Sequence, residues 1–387
     1  MAVADEIDRR DAEEADVVTE VVARIDWPDR AAGQAATARW NSLTKPQGAL
    51  GRLEDLGTWW ASVRGACPPA PPQRPVLVIV AGDHGVARTA RTSAYPPEVT
   101  AQMVRTFLSE RAAANALARQ VGAHVRVVDV SVDAPEDYAD DLDPRVAASR
   151  VRRASGSIDR EDAMTADEAR RAFSLGVAIA DEEIDAGADL LIVGDMGIGN
   201  TTAASAIIGL LAPADLLSVV GRGTGIDDAT WMRKAAAVRD AMRRGKPYKG
   251  APLDLLATIG GPDIAVMVGL LLGAAARRTP VLLDGTVISA AALIAHRAAY
   301  KSRDWWQAGH RSTEPAHSAA LGRLDLTPLL DLQMRLGEGT GALLAVPLVA
   351  AAAAALGEML TFAVAGVSTS DDLPGESAEP PLTGATE

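Results

Sequence analysis

The chain is poor in cysteine, with Cys67 its only one among 387 residues. That excludes an intrachain disulfide framework and any cysteine-rich zinc or iron–sulfur site, and fits a reducing compartment. Aromatic residues are scarce at 4%. Positive charge is also in deficit: 38 Lys and Arg against 51 Asp and Glu leave a formal charge of −13. A broad surface that tracks phosphates along a nucleic acid is therefore not expected, although one basic pocket for a single phosphate is compatible. The opening segment has no basic region followed by an apolar block, so it does not read as a secretory signal. The cytoplasm is the expected location. The most apolar stretch, 342–367, is long enough to raise the question of a membrane span. Its alanine richness, with Pro347, Gly357 and Glu358 inside it, predicts a buried helix pair instead, and no membrane partner is expected.

Nearly half of the residues, 48%, are apolar. A chain of this length can bury one large core and a smaller one. Residues 1–35 are acidic and alanine-rich and predict an accessory helix, whereas 369–387 have the composition of a disordered tail. Between 36 and 66 a turn around Lys45-Pro46-Gln47-Gly48 leads into an amphipathic helix whose Leu50, Leu53, Leu56 and Trp60 share a face, and a proline-rich linker follows. Beyond it, short runs rich in Val, Ile and Leu alternate with alanine-rich helical segments: PVLVIV (75–80), HVRVVDV (124–130), DLLIVG (189–194), LLSVVG (216–221) and PVLLDG (280–285). Strand and helix in repeated alternation predict an α/β fold: a doubly wound, mostly parallel sheet flanked by helices. The expected smaller helical domain combines 36–66 with about 325–367, leaving 75–324 to the sheet domain.

Most of these runs end in Gly or Asp and then a loop, and ligands of open α/β sheets sit at the carboxyl ends of the strands. In GDMGIGNTT, Gly194, Gly197 and Gly199 lie between a strand and a helix that Asn200, Thr201 and Thr202 open. Glycines let the backbone approach an anion, and free N–H groups at a helix start point toward it. The spacing is neither the dinucleotide fingerprint nor a P-loop, so a phosphate monoester fits it best. Read alone, the segment is as well explained as a glycine-rich turn with a threonine cap. A second loop, GRGTGIDD, could add donors from Gly223 and Gly225 together with Arg222, Thr224 and Lys234, or be a tight turn with solvated cations.

In LGEGTGALL, Glu338 stands between Gly337 and Gly339 on a loop entering an apolar helix. Burying a carboxylate there costs several kcal/mol, to order of magnitude, unless it is paired. The helix start is expected to keep it ionised, which suits a base; a solvated loop glutamate is the alternative. Asp83 and His84 at the end of the first strand are too few to define a metal site. His124, His296, His310 and His317 lack ligand spacing and read as structural or exposed. No G-x-S-x-G elbow is present and nothing near Cys67 would activate it, so covalent nucleophilic catalysis is not indicated.

Taken together, NSLTKPQGALGRLEDL, AGDHGV, SAYPPEVTAQMV, GDMGIGNTTAASA, GRGTGIDD, TIGGPDIAVMVG, PVLLDGTVISAAAL, HRSTEPAH and LGEGTGALLAVPL, in order from about residue 41 to 368, resemble the nicotinate-nucleotide:dimethylbenzimidazole phosphoribosyltransferase family. The resemblance implies transfer of the phosphoribosyl group of nicotinate mononucleotide to 5,6-dimethylbenzimidazole in assembly of the cobalamin lower ligand. It also implies a homodimer with active sites near the subunit interface, no cofactor and no metal. It points to Glu338 as catalytic base, gives Asp195 and Lys234 functional roles, and places Ser93 and Gln102, with Met196 and Leu336, against the base. The loops carrying Gly197, Gly199, Asn200, Thr201, Gly223 and Gly225 would take phosphate and ribose. The family often has glutamate where this chain has Asp195, so the geometry there or the choice of acceptor can differ. Three alternatives accompany this reading: the same transfer to another azole, purine or phenolic base, a non-catalytic nucleotide-binding protein, and a metal-dependent transferase using Asp83, His84 and Asp284.

Overall fold

The computed structural model describes residues 17–368 apart from 136, 137, 139–141 and 213. The tail expected at 369–387 and the first part of the helix expected at 1–35 lie outside the described residues.

Five strands form one parallel sheet: β1 (Pro75–Gly82), β2 (His124–Ser131), β3 (Leu190–Met196), β4 (Val281–Leu283) and β5 (Trp306–Ala308), in the order β2-β1-β3-β4-β5. All eight residues of β1 are buried, which requires cover on both faces and explains why PVLVIV is continuously apolar rather than alternating. The nearly all-apolar helices Pro262–Ala276 and Thr286–Ala298 contribute to that buried layer. Close approach is built into the sequence: a Cβ on Gly176 would lie 2.0 Å from the Val266 carbonyl oxygen, so the helix Ala166–Asp185 packs on Pro262–Ala276 backbone to backbone.

Two expectations about strands are corrected. LLSVVG is not a strand: Leu216–Val219 is one turn of helix that buries Val219 and Val220. The place beside β4 belongs to Trp306–Ala308, where Trp306 and Ala308 are buried, so the LLSVVG segment has no ladder to join.

The helix Arg30–Ser42 begins at Asp29, whose carboxylate accepts from the N–H groups of Ala31 and Ala32, so the boundary drawn at 35/36 falls inside it. That helix, Arg52–Arg64 and Val346–Glu358 pack around Trp40, Leu43, Ala61 and Leu356. Leu56 and Trp60 of the expected amphipathic face are buried, while Leu50 stays exposed ahead of the helix. Thr340–Glu358 is long and apolar enough to cross a membrane by composition, yet 56% of it is buried within the molecule. It is divided into Thr340–Leu343 and Val346–Glu358, with Pro347 in the first turn of the second helix.

Candidate active site

In this strand order the connections leave β1 and β3 in opposite directions, so a crevice opens between their carboxyl ends. The loops there are held tightly. A Cβ on Gly197 would fall 1.8 Å from the Gly82 carbonyl oxygen, so only glycine lets the turn after β3 lie on the end of β1. Asp83 locks that contact, its carboxylate accepting from the N–H groups of Ile198 (3.0 Å) and Asp133 (2.8 Å) and from the Thr100 hydroxyl. His84 pairs through Nε2 with Asp263 Oδ2 at 2.9 Å, both side chains buried. Gly199 then caps the helix Asn200–Leu211 in the left-handed conformation, and no side-chain oxygen takes up the helix's opening N–H groups.

A cavity of about 680 Å³ lies over this crevice. Asp195, Met196, Gly197, Gly199, Asn200 and Thr201 form one wall; Ser93, Gly223, Lys234, Leu336 and Glu338 reach it from four other segments. Thirteen site residues were expected from the sequence, and the two not on this wall are Gln102 and Gly225. Gln102 is exposed on the helix Glu98–Leu108, whose Val99 and Met103 face the cavity instead. Gly225 lines a neighbouring cleft with Arg222 and Trp231. Ser93 is drawn in by Thr224, whose Oγ1 accepts from the Ala94 N–H at 3.0 Å.

Glu338 sits on a turn that three successive residues make with positive φ: Gly337 (81°), Glu338 (61°) and Gly339 (78°). A non-glycine residue in that region is strained, and such strain persists only where the surroundings over-determine it. Asp284, fully buried after β4, does so by accepting from the N–H groups of Gly339 (3.2 Å), Gly341 (2.8 Å) and Ala342 (2.9 Å). The turn also lies flat on β3, since a Cβ on Gly194 would meet the Glu338 carbonyl carbon at 2.5 Å. Glu338 is thereby only 5% exposed and its Oε2 has no hydrogen-bond partner.

Burial above all, reinforced by the negative charge of Asp284, pushes the Glu338 carboxyl up to about 7, against the pull of the Ala114 N–H. The helix start expected to help keep it ionised does not offset the desolvation that burial imposes. A carboxylate titrating near neutrality is a stronger base than an ordinary glutamate and is still available at pH 7.

Asp195 is pushed further, to about 8, by burial and then by the negative charges of Asp284, Asp263 and Glu338. Asn200 Nδ2 donates to its Oδ2 at 2.7 Å. Asp195 therefore favours its protonated form near neutral pH, and a cation placed beside it would draw out its ionised form. Lys234, on the helix Asp228–Gly245, is 1% exposed and donates from Nζ to Thr201 Oγ1 at 3.0 Å. Burial lowers it to about 8, and Glu314 opposes that fall.

Sequence reasoning missed Thr92, Glu314 and Arg335, which also face the cavity, and it weighed Asp284 only as a metal ligand. The signal for Glu314 was present in HRSTEPAH, an acid directly before a proline-started helix. Asp83, His84 and Asp284 are each held by separate hydrogen-bond partners, and among the described residues no group of three or more His, Cys, Asp or Glu side chains is arranged to hold a metal ion.

A family model described as phosphoribosyltransferase matches residues 25–367. The nicotinate-nucleotide–dimethylbenzimidazole phosphoribosyltransferase of Mycobacterium avium is 58% identical over 346 residues, covering 89% of this chain and 97% of its own length. The chain belongs to this phosphoribosyltransferase family. The enzyme of the same name from Mycobacterium tuberculosis is 56% identical over 347 residues, 90% of this chain and 94% of its own. The crystal structure of the family member from Thermus thermophilus superposes with a TM-score of 0.82 at 41% identity, over 88% of this chain and 99% of that one. A phosphoribosyltransferase needs a phosphate cradle, a ribose site and an acceptor pocket within one crevice, and the cavity at the β1/β3 junction brings the candidates for all three together.

Proposed function

We propose that this chain transfers the phosphoribosyl group of nicotinate mononucleotide to 5,6-dimethylbenzimidazole, giving α-ribazole 5′-phosphate and nicotinate for the cobalamin lower ligand, with Glu338 as the general base. The observation that carries the assignment of the base is the buried Glu338 carboxylate on the wall of the cavity, with Oε2 free of any hydrogen-bond partner and the group raised to about 7.

The unprotonated nitrogen of the neutral benzimidazole attacks the anomeric carbon. The bond from that carbon to the pyridinium nitrogen breaks, and its electron pair stays on nicotinate, cancelling the ring charge. The leaving group therefore needs no proton. The acceptor does lose one: its second ring nitrogen passes a proton to Glu338, a contribution typically of about 10²–10⁴-fold. Direct displacement inverts the anomeric centre and converts a β-nucleotide into an α-riboside.

Developing positive charge at the ribose calls for a carboxylate nearby. Asp195 fills that role: burial and neighbouring acids raise it, and the positive charge of the pyridinium and the oxocarbenium-like centre favours its ionised form. The turn at 197–199 and Gly223 take the phosphate, with Gly225 in the neighbouring cleft; Lys234 supplies the counter-charge, and Met196, Leu336 and Ser93 line the acceptor side. Binding at the remote phosphate helps fix the reacting carbon. Gln102 belongs to the acceptor side only if a second subunit or a turn of its helix brings it in. We also place the enzyme in the cytoplasm as a homodimer, readings that rest on the family resemblance and on the scarcity of cysteine; sedimentation equilibrium at twice the chain mass of 40.2 kDa is the expected result.

The test is to incubate the purified protein with nicotinate mononucleotide and 5,6-dimethylbenzimidazole in the presence of a chelator, following nicotinate and the riboside phosphate by chromatography. Stoichiometric release of both supports the reading. Product only with another azole or a phenol moves the acceptor, and release that depends on added magnesium contradicts the metal-free chemistry.

A further inference from the structure

Glu314 is the one acidic side chain on the cavity wall, besides Asp195 and Glu338, and the reaction as described does not use it. It stands at the N-cap of the helix Pro315–Leu324, a position where a carboxylate ordinarily takes up its own helix's N–H groups, yet it makes no such bond. It turns to the opposite loop. Its Oε1 accepts from the Gly223 N–H at 2.9 Å, and it lies so close to Gly221 that a Cβ there would be 1.8 Å from Oε2. It is 7% exposed.

Gly223, at φ +49°, has Glu314 on its N–H side. On its other side a Cβ would meet Thr201 Oγ1 at 3.2 Å and Lys234 Nζ at 3.3 Å. Thr201 and Lys234 are themselves hydrogen-bonded. A buried carboxylate and a buried ammonium thus both adjoin the Gly223 turn. We infer that Glu314 is a positioning residue, whose carboxylate holds the Gly221–Gly225 turn and the Lys234 ammonium in one fixed arrangement facing the donor's phosphate. The inference deepens the proposed function and rests on it for the identity of the donor.

The consequence is electrostatic as well as geometric. Other charged groups of the turn and the cavity are Arg335, which donates to the Gly223 carbonyl oxygen, Arg222, which pairs with Asp228, and the raised carboxyls of Asp195 and Glu338 on the cavity wall. The helix Asn200–Leu211 packed beside Lys234 carries no titratable side chain. Glu314 is the acid that favours the charged form of Lys234.

Two measurements test this. The first is the alkaline limb of kcat/KM for nicotinate mononucleotide in wild type, Glu314→Gln, Glu314→Ala and Lys234→Arg. Glutamine keeps an acceptor for Gly223 and loses the charge, so the limb moves to lower pH with a modest rise in KM. Alanine also frees the turn and raises KM at least tenfold more. Lys234→Arg has no limb. The second is a thermal double-mutant cycle of Glu314→Gln with Lys234→Met, which needs no activity and so separates failure of this inference from failure of the assigned reaction. Coupled groups give Tm losses that do not add, the double variant melting above the sum. An unmoved limb in Glu314→Gln, or strictly additive Tm losses, overturns the inference.

Discussion

Glu338 combines two features that destabilise a protein, a positive φ and a buried carboxylate whose Oε2 has no partner, and Asp284 holds the turn that carries both. Asp284→Asn therefore separates its functions. The amide oxygen can still accept from Gly341 and Ala342 as Oδ1 does, the Gly339 N–H loses its weaker bond to Oδ2, and the negative charge that helps raise Glu338 is gone. Because the reaction needs the ionised base, activity falls as pH drops through about 7, the value of Glu338 in the native site. In Asp284→Asn the acid limb of kcat moves to lower pH, and the rate at pH 7.5 drops because a weaker base accepts the proton. A limb that stays near 7 in the variant contradicts the role given to Asp284. Asp195→Glu, which restores the residue common in the family, lengthens the side chain by one methylene against Gly337, where a Cβ would already stand 3.2 Å from Asp195 Oδ1. It is expected to change the ratio of rates for two acceptor azoles more than the KM for the donor, as competition assays would show.

Among the elements, the two glycine turns are where small changes act over the longest distance. Gly197→Ala places a methyl group on the Gly82 backbone, which cannot move aside as a flexible side chain would. The turn must lift from β1, taking with it Ile198 and the start of the helix that follows. The expected result is a KM for nicotinate mononucleotide raised at least tenfold and a loss of stability of about 1–3 kcal/mol, measured by steady-state kinetics and urea unfolding. These turns were legible in the sequence because glycine clusters after apolar runs have few other physical reasons. Four strands were legible as short runs rich in Val, Ile and Leu that alternate with helical segments. β5 was not, since Trp306–Ala308 is three residues long and its place in the sheet depends on β4 beside it. LLSVVG misled because a run of that composition is a strand only if a partner edge is free. Glu338, Asp195 and Lys234 could be named from motifs, but their shared wall could not be derived from local pattern. Neither could Glu314 and Asp284, whose partners lie 91 and 55 to 58 residues away in the chain.

For the whole molecule, concentrating acids in a buried crevice has a cost that pH reveals. Asp195 titrates at about 8, Glu338 at about 7 and Asp83 at about 6, all above their ordinary values near 4. The native state therefore binds these protons more tightly than the unfolded chain. Their contribution to stability is complete below about pH 4 and is lost as pH rises through 6, 7 and 8. Tm between pH 6 and pH 9 should fall for this reason, and Asp195→Asn should flatten the fall, melting above wild type at pH 9 and close to it at pH 5. A wild-type and variant difference that does not change with pH would mean that the Asp195 carboxyl is not raised in the native state. Stability and catalysis oppose each other here, as they commonly do at active sites.

The central claim is that Glu338 takes the acceptor's proton during phosphoribosyl transfer, and the most direct measurement compares wild type with Glu338→Gln for nicotinate release from nicotinate mononucleotide and 5,6-dimethylbenzimidazole at pH 7.5. The account predicts a kcat lower by about 10²–10⁴-fold, with the KM for the donor within a few-fold and Tm unchanged or raised. A variant that retains more than a tenth of the wild-type kcat would contradict it.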